Sequence, residues 1–557
     1  MPESVSAALL APYLTKNDVR VLTWQIYLAV AAFAVGILAG LAQALDRVMP
    51  AASSLWTRFP LQENYYQGLT AHGVLLAFVF TFAFSNGMMT LVAAHSFKRR
   101  PNTIAITGSL TLIVVGSLLA AWQIVANQAS VLFTMYPPLQ ATPIYYIGVT
   151  LVVVSTWFTA LAVVLMYRGW RVEHPDEISP LQGFTVMATY VMWFIASLGV
   201  AAEVLLLLLP WSLGLVDKTD PQLARALFWF SGHPVVYFWL LPAYVSWYTM
   251  IPKQVGGKLF SDSLTRLVFL LFLVLSIPTG FHHQYTDPGI SEALKTVHFV
   301  MTMGVFFPSL ITAFSVMASL ESGGRRAGGT GLLGWIWALP WGDPSVVAQL
   351  LAMLGFVLGG ISGLINASYT VNLVVHNTSW VPGHFHLTVG TAVALSFMGI
   401  AYWLVPHLTG RELVSRRLGV LQGWLWFIGV LIFARGQISA GIESLPRRLN
   451  VSKLNYVLDN PAWHSGHVMT AVGGTIMFIS GALFVALIAW TLWRGKESTI
   501  VKMPVVDEYV SGPEETPPLL DRWGVWIAIA IVLILIAYGP FFLTYAPNFV
   551  SGGQTPW

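Results

Sequence analysis

The sequence predicts an all-α fold: a polytopic transmembrane helical bundle of about thirteen spans, with the N-terminus inside and the C-terminus outside. Three observations lead there. Of 557 residues, 56% are hydrophobic and 9% charged, with a mean hydropathy of +0.70; soluble domains carry about 25% charge. Apolar runs near the ~20 residues needed to cross a bilayer recur along the whole chain. Roughly two-thirds of the 28 lysines and arginines fall in alternate loops, the side the positive-inside rule assigns to the cytoplasm.

The spans follow one another as a single domain over residues 1–557, with no soluble insert. Runs 21–46 and 66–96 come first, the second carrying His72 near its outer end. Runs 103–126 and 143–167 contain no charge. Run 184–211 holds one acid, Glu203, in mid-span. Run 225–251 carries His233, and 264–286 ends on His282 and His283. Run 293–320 carries Ser309, Thr312 and Ser315 on one face, and 345–368 is apolar. Run 371–405 carries His384 and His386 about 14 residues in, deeper in the bilayer than the other four. Runs 417–441, 464–493 and 521–545 complete the bundle. Segment 494–520 is polar and proline-rich and reads as an inner loop.

Composition excludes several chemistries. There is no cysteine, so this chain holds no disulfide, thiolate zinc site, iron–sulfur cluster or covalently attached c-type heme. The net charge of +4 reflects basic loops and points to membrane lipid, not to nucleic acid.

Six histidines inside the runs carry the functional signal: His72, His233, His282, His283, His384 and His386. An imidazole in lipid is costly unless something uses it, and metal ligation is its commonest use. At about 1.5 Å per residue, all six fall in the outer half of the bilayer and behave as one site. His384 and His386 stand two residues apart, about 200° around a helix, so they serve two different sites. Each suits a planar cofactor, with Phe385 beside the seam and Pro382 loosening the helix above. His72 is a candidate trans ligand for one heme; a second heme would keep an open face for a diatomic ligand. His282 and His283, about 100° apart on a helix, join His233 in a three-imidazole set suited to copper or another late first-row metal. Tyr237 lies four residues after His233, so its phenol rests against that imidazole. Of the other histidines, His298 and His407 read as interfacial and His467 as near-interfacial.

Two polar stripes point inward from Tyr237. Tyr237, Tyr244 and Tyr248 share one face of their helix. With Ser309, Thr312 and Ser315 they suit a hydroxyl-and-water proton wire, although such residues also pack helix interfaces.

These motifs resemble subunit I of the heme–copper oxygen reductases over essentially the whole chain. The matching elements are His233-Pro-x-x-Tyr237, the His282-His283 pair, His384-Phe-His386 and the early His72. The resemblance implies a low-spin heme on His72 and His386, a high-spin heme on His384, and one copper ion on His233, His282 and His283. It also implies a covalent bond between His233 and Tyr237. Val235 stands where A-type members have a glutamate, and the run from Tyr237 to Tyr244 is similar to the B-type branch, the ba-type cytochrome c oxidases. The implied cofactors are a b-type low-spin heme, an a-type high-spin heme and one copper. The implied activity is reduction of O2 to water with electrons from cytochrome c, coupled to proton translocation, in a prokaryotic plasma membrane. With no cysteine here, the dinuclear copper entry site would belong to a separate subunit II, and a small single-span subunit is a further expected partner.

On the outer side, Arg447 and Arg448 are candidates for binding heme propionates, with His376 and Asn377 at the start of run 371–405. Asn372 departs from the branch, whose members carry a carboxylate near that point. Asp287 with Arg225 is an alternative outer group. The nearest rival is a nitric oxide reductase on the same scaffold. A heme-free transporter would show two related halves, and no internal repeat is visible.

Overall fold

The computed structural model describes residues 13–49, 62–450, 460–497 and 501–545, so residues 498–500 of the expected inner loop lie outside it. Most long helices begin where a side chain can take over their first amide groups. Thr15, Asn64, Asn102, Thr142, Asp220, Ser261, Ser291, Asp343 and Ser415 each accept a hydrogen bond from a backbone N–H in the first turn. Pro143, Pro221 and Pro344 follow three of these caps, at the position where a missing N–H costs nothing.

Among the described residues, eleven helices are long and apolar enough to cross a membrane. A bent pair, Asp262–Leu275 with Ile277–Gln284, meets at 54° and would make a twelfth. The remaining expected span, 225–251, consists of two helices, Pro221–Gly232 and Pro234–Thr249, that abut at His233. Pro234 explains the break. It offers no N–H and its ring crowds the preceding turn, so the helix restarts with His233 as its cap.

Other expectations shift. Span 371–405 is shorter than read. A helix Tyr369–Val375 stops at His376, Asn377 takes φ +58°, and the membrane helix begins at Trp380. His376 and Asn377 therefore occupy a connecting turn, and His384 and His386 lie in the first two turns of the helix instead of about 14 residues in. Pro382 falls where its absent N–H would have had no helical partner, so it does not loosen the helix. The loosening comes from π-helical turns, Val74–Phe80 just after His72 and Thr388–Val393 just after His386. Such wide turns are rare and gather at functional sites. His282 and His283 lie on a 3₁₀ segment, where successive residues turn by about 120° and not the 100° of an α-helix.

Close helix packing relies on small residues. A Cβ on Gly116 would lie 2.6 Å from the Gly148 carbonyl oxygen, so these two helices touch backbone to backbone.

A buried ionic knot closes the end expected to face inward. Arg266, fully buried, donates to Asp262 and to the Ser179 carbonyl, both at 2.6 Å. Asp521 pairs with Arg171 and accepts from the Ser179 hydroxyl at 2.6 Å. Thr516 donates to Asp262 at 2.8 Å. The knot, with a short parallel strand pair Leu259–Ser261 and Tyr509–Ser511, ties the connector before the last helix to the bundle. Arg266→Met would leave a buried carboxylate without its cation, which costs about 3–5 kcal/mol. The expected result is a clearly lower thermal midpoint in detergent; an unchanged midpoint would show that the knot adds no stability.

Candidate metal centre

All six singled-out histidines line one internal cavity of about 660 Å³. They reach it from four separate places in the bundle, which the packing of the helices brings together. His72 and His386 face each other across it, their ring centroids 6.2 Å apart and their planes within 13° of parallel. His72 Nδ1 lies 2.9 Å from the Gly36 carbonyl oxygen, and His386 Nδ1 lies 2.8 Å from that of Pro382. A carbonyl can only accept, so each Nδ1 carries the proton and each Nε2 keeps its lone pair for ligation.

His384 takes a different direction, as the two-residue spacing required. Its Nδ1 lies 3.1 Å from the Gly359 carbonyl oxygen and 3.0 Å from Ser362 Oγ. That hydroxyl itself donates to Gly359 at 2.8 Å, so it faces His384 as an acceptor. Two glycines make room for these rings. A Cβ on Gly40 would lie 2.8 Å from His72, and one on Gly363 would lie 2.9 Å from His384. Phe385 packs at the seam against Trp239 and Phe133, at 5.8 and 6.4 Å between ring centroids.

His233, His282 and His283 offer ring nitrogens all within 4.8 Å of one another. His233 Nδ1 and His283 Nε2 stand 3.4 Å apart. His283 stacks on Trp229 at 3.7 Å, and His282 Nδ1 lies 2.7 Å from Thr302 Oγ1. The Thr302 hydroxyl is spent on the His298 carbonyl, at 2.6 Å, so it accepts from His282 and leaves Nε2 of that ring free. The Tyr237 ring lies 4.8 Å from that of His233, and His233 Nε2 is buried with no partner among the described residues.

Comparison with known proteins agrees with this geometry. The family model for cytochrome c and quinol oxidase polypeptide I matches residues 20–476. The chain is 46% identical to cytochrome c oxidase subunit 1 of Thermus thermophilus, over 91% of this chain and 92% of that protein. The chain belongs to the cytochrome c and quinol oxidase polypeptide I family. It is also 27% identical to a cytochrome c oxidase polypeptide 1 of Halobacterium salinarum, over 89% of this chain and 81% of that one. A cryo-EM structure of a heme-copper terminal oxidase dimer superposes with a TM-score of 0.89 at 36% identity, covering 95% of this chain and 93% of that one. Membership makes this a membrane oxidoreductase with terminal-oxidase function, whose family chemistry uses hemes and copper.

The residues present fit those groups. Two metal–imidazole bonds of about 2 Å each, plus half of each ring, bring coaxial ligands to roughly 6 Å between centroids, which is the His72–His386 separation. Three neutral imidazoles with no acid among them are a donor set for a late first-row metal. Anionic substituents would also find partners. Arg447 and Arg448 both line the cavity, and among the described residues neither has an ion pair. Burial pushes Arg447 down to about 9, helped by the neighbouring Arg448 charge, and lowers Arg448 as well. A pair of guanidiniums in that condition is stabilised by a bidentate anion. His376, held down to about 4 by burial and then by Arg447 and Arg225, stands close by. Asn377 gives its carbonyl to the Arg447 N–H at 2.8 Å. Asn372 is buried and its Oδ1 lies 2.9 Å from His376 Nδ1. Arg225 and Asp287 form the expected ion pair, at 2.7 Å.

The proton-path candidates are also contiguous. Tyr244 stands beside Ser309 and Thr312, and Tyr248 beside Thr312 and Ser315. Tyr248 donates to Thr312 Oγ1 at 2.9 Å. The Tyr237 and Tyr244 rings pack on the same Phe272, at 4.8 and 5.7 Å. Ser309 opens onto the cavity. Glu203 does not join this group. It is fully buried, with neither carboxylate oxygen partnered among the described residues, and it does not line the cavity.

His298, His407 and His467, read as interfacial or near-interfacial, are buried among the helices. Thr302, Ser362 and Trp229, which touch the ligand rings, were missed. Each is a common residue in a membrane helix, and only its neighbour across the cavity marks it.

Proposed function

We propose that this chain is the catalytic subunit of a B-type terminal oxidase, reducing O2 to water with electrons from cytochrome c and moving protons outward across a prokaryotic plasma membrane. The observation that carries the proposal is the single cavity with a coaxial histidine pair beside a three-imidazole cluster. His72 and His386 would hold a low-spin heme of b type, and His384 a high-spin heme of a type. His233, His282 and His283 would hold one copper ion. When bound, these groups supply the electrons for oxygen reduction and the surface on which oxygen is held. Arg447 and Arg448, with His376 and Asn377, would anchor the heme propionates.

The protein's own contribution is positional and protonic. Nδ1 bonds fix the rings of His72, His282, His384 and His386, so Nε2 of each is left for a ligand without reorganisation. The aromatic wall of Phe133, Trp229, Trp239 and Phe385 keeps bulk water away. Tyr237 holds a proton and an electron at its hydroxyl beside His233, and a covalent link between the two would lock that position. Protons would reach it through Tyr248, Thr312, Ser315, Tyr244 and Ser309 from the inner side. The absence of cysteine supports a separate subunit II with a dinuclear copper entry, docked by cytochrome c, and a small single-span subunit is consistent with the apolar faces that remain.

A pyridine hemochrome spectrum with metal analysis tests the proposal. Two hemes and one copper per chain are expected, with oxygen uptake from reduced cytochrome c; a purified chain without heme would end it. Thr312→Val keeps the shape but removes the hydroxyl that Tyr248 donates to. It is expected to slow turnover by ~10²-fold, the lower end of what a positioned proton-transfer group supplies, while leaving the heme spectrum unchanged. Wild-type turnover in that variant would remove Thr312 from the path.

A further inference from the structure

The turn carrying His282 and His283 is held from behind by residues that the proposed activity does not use. Ile277–Gln284 is a 3₁₀ segment with Pro278 off helical geometry, at ψ 29°. Segments of this kind have poor internal hydrogen bonding. Two other helices complete it. Tyr538, on the last helix Trp523–Tyr545, accepts the Gly280 N–H at 3.1 Å and donates to the Ile277 carbonyl at 3.1 Å. His298, on helix Glu292–Arg326, accepts the Phe281 N–H on Nδ1 at 3.2 Å and donates from Nε2 to the Ala537 carbonyl at 3.0 Å. The same histidine's carbonyl fixes Thr302, which in turn faces His282 Nδ1.

Packing reinforces these bonds. The Phe281 ring lies 4.4 Å from that of His298 and 4.9 Å from that of Tyr538, and the latter two are 4.9 Å apart. A Cβ on Gly280 would lie 2.3 Å from Tyr538 Oη, so the fit leaves no slack. His298 is fully buried and Tyr538 is 2% exposed.

We propose that Tyr538 and His298 form a brace that positions the His282–His283 turn for its metal, making the last helix part of the support of the copper site as well as a membrane span. The inference rests on reading His233, His282 and His283 as the copper site. Removing the Tyr538 hydroxyl leaves the Gly280 N–H and the Ile277 carbonyl unpaired in an apolar wall, and the turn can satisfy them only by moving. His282 and His283 move with it, because each is within three residues of Gly280. The residues that would hold the hemes are untouched, since His72, His384 and His386 stand on other helices.

The test compares Tyr538→Phe with Tyr545→Phe in the purified holoenzyme. Tyr545 lies seven residues further along the same helix and donates to Asp220 at 2.8 Å. Its loss removes the same hydroxyl without touching the turn. Copper per heme is followed by metal analysis as a chelator is raised. Tyr538→Phe is expected to release copper at a chelator concentration ~10- to 100-fold lower than wild type, the usual scale for losing an outer-shell partner, with heme content unchanged. Tyr545→Phe should match wild type. His298→Gln keeps one acceptor and one donor and should fall between wild type and His298→Ala. The proposal is overturned if Tyr538→Phe holds copper as tightly as wild type, if Tyr545→Phe loses it equally, or if hemes leave together with copper. Wild-type protein that contains hemes but no copper would also overturn it while leaving the heme assignments in place; wild-type protein without heme would instead refute the proposed function.

Discussion

His386→Ala is expected to leave one heme per chain where the wild type holds two, and to lower oxygen reduction by roughly 10³-fold, the scale for losing one member of an interdependent set. The argument is geometric. His386 and His72 face each other at 6.2 Å with nearly parallel rings, and each has its other nitrogen committed to a backbone carbonyl. Among the described residues, no other histidine of the cavity faces either ring. Phe433, 4.3 Å from His386, is apolar. The second heme should survive, because His384 leaves the helix in another direction and is fixed by Gly359 and Ser362. A reduced-minus-oxidised spectrum distinguishes the two outcomes. The low-spin band should vanish while the high-spin heme still binds carbon monoxide. Retention of both hemes in this variant would break the assignment of His386, and loss of both would show that the two sites do not assemble independently.

Tyr237→Phe is expected to cost ~10²- to 10⁴-fold in turnover, the range supplied by a positioned proton donor, with both hemes and the copper retained. The phenylalanine ring keeps the contacts of the tyrosine with Phe272 and His233, so the fold should not register the change. What disappears is the Tyr237 hydroxyl, carried on a ring that packs against His233 and shares Phe272 with Tyr244. The decisive comparison is between gas binding and turnover. Carbon monoxide should still bind the reduced protein, while oxygen consumption should nearly stop. A variant with wild-type turnover would remove Tyr237 from the hydrogen-donor role and would reopen the search along Ser309 and Thr312.

Much of this site was legible because lipid makes polar residues conspicuous. A histidine among apolar residues is a signal that the same histidine in a soluble helix would not send. The i, i+2 spacing of His384 and His386 required two destinations, and the structure supplies two. The i, i+4 spacing of His233 and Tyr237 required contact, and the rings meet. The cap–proline pairs Thr142-Pro143, Asp220-Pro221 and Asp343-Pro344 mark helix starts that the apolar runs alone did not use. What was not legible has a common cause. Apolar periodicity measures how long a run is, not how its backbone is wound. It merged two helices across His376 and Asn377, and it missed the restart at Pro234 and the π-turns after His72 and His386. It also gave no sign that His298 is buried, because burial inside a bundle and exposure at its surface look alike along one strand of sequence.

The chain by itself determined that this is a membrane bundle, that six imidazoles are candidate metal ligands, and that no thiolate can join them. Those conclusions follow from transfer energetics and ligand chemistry, which depend on residue type and local spacing alone. The tertiary structure decided which imidazoles face each other, which nitrogen of each ring is free, and which distant helix braces the His282–His283 turn. Those choices are made by contacts between residues as far apart in sequence as Gly280 and Tyr538, and no local pattern contains them.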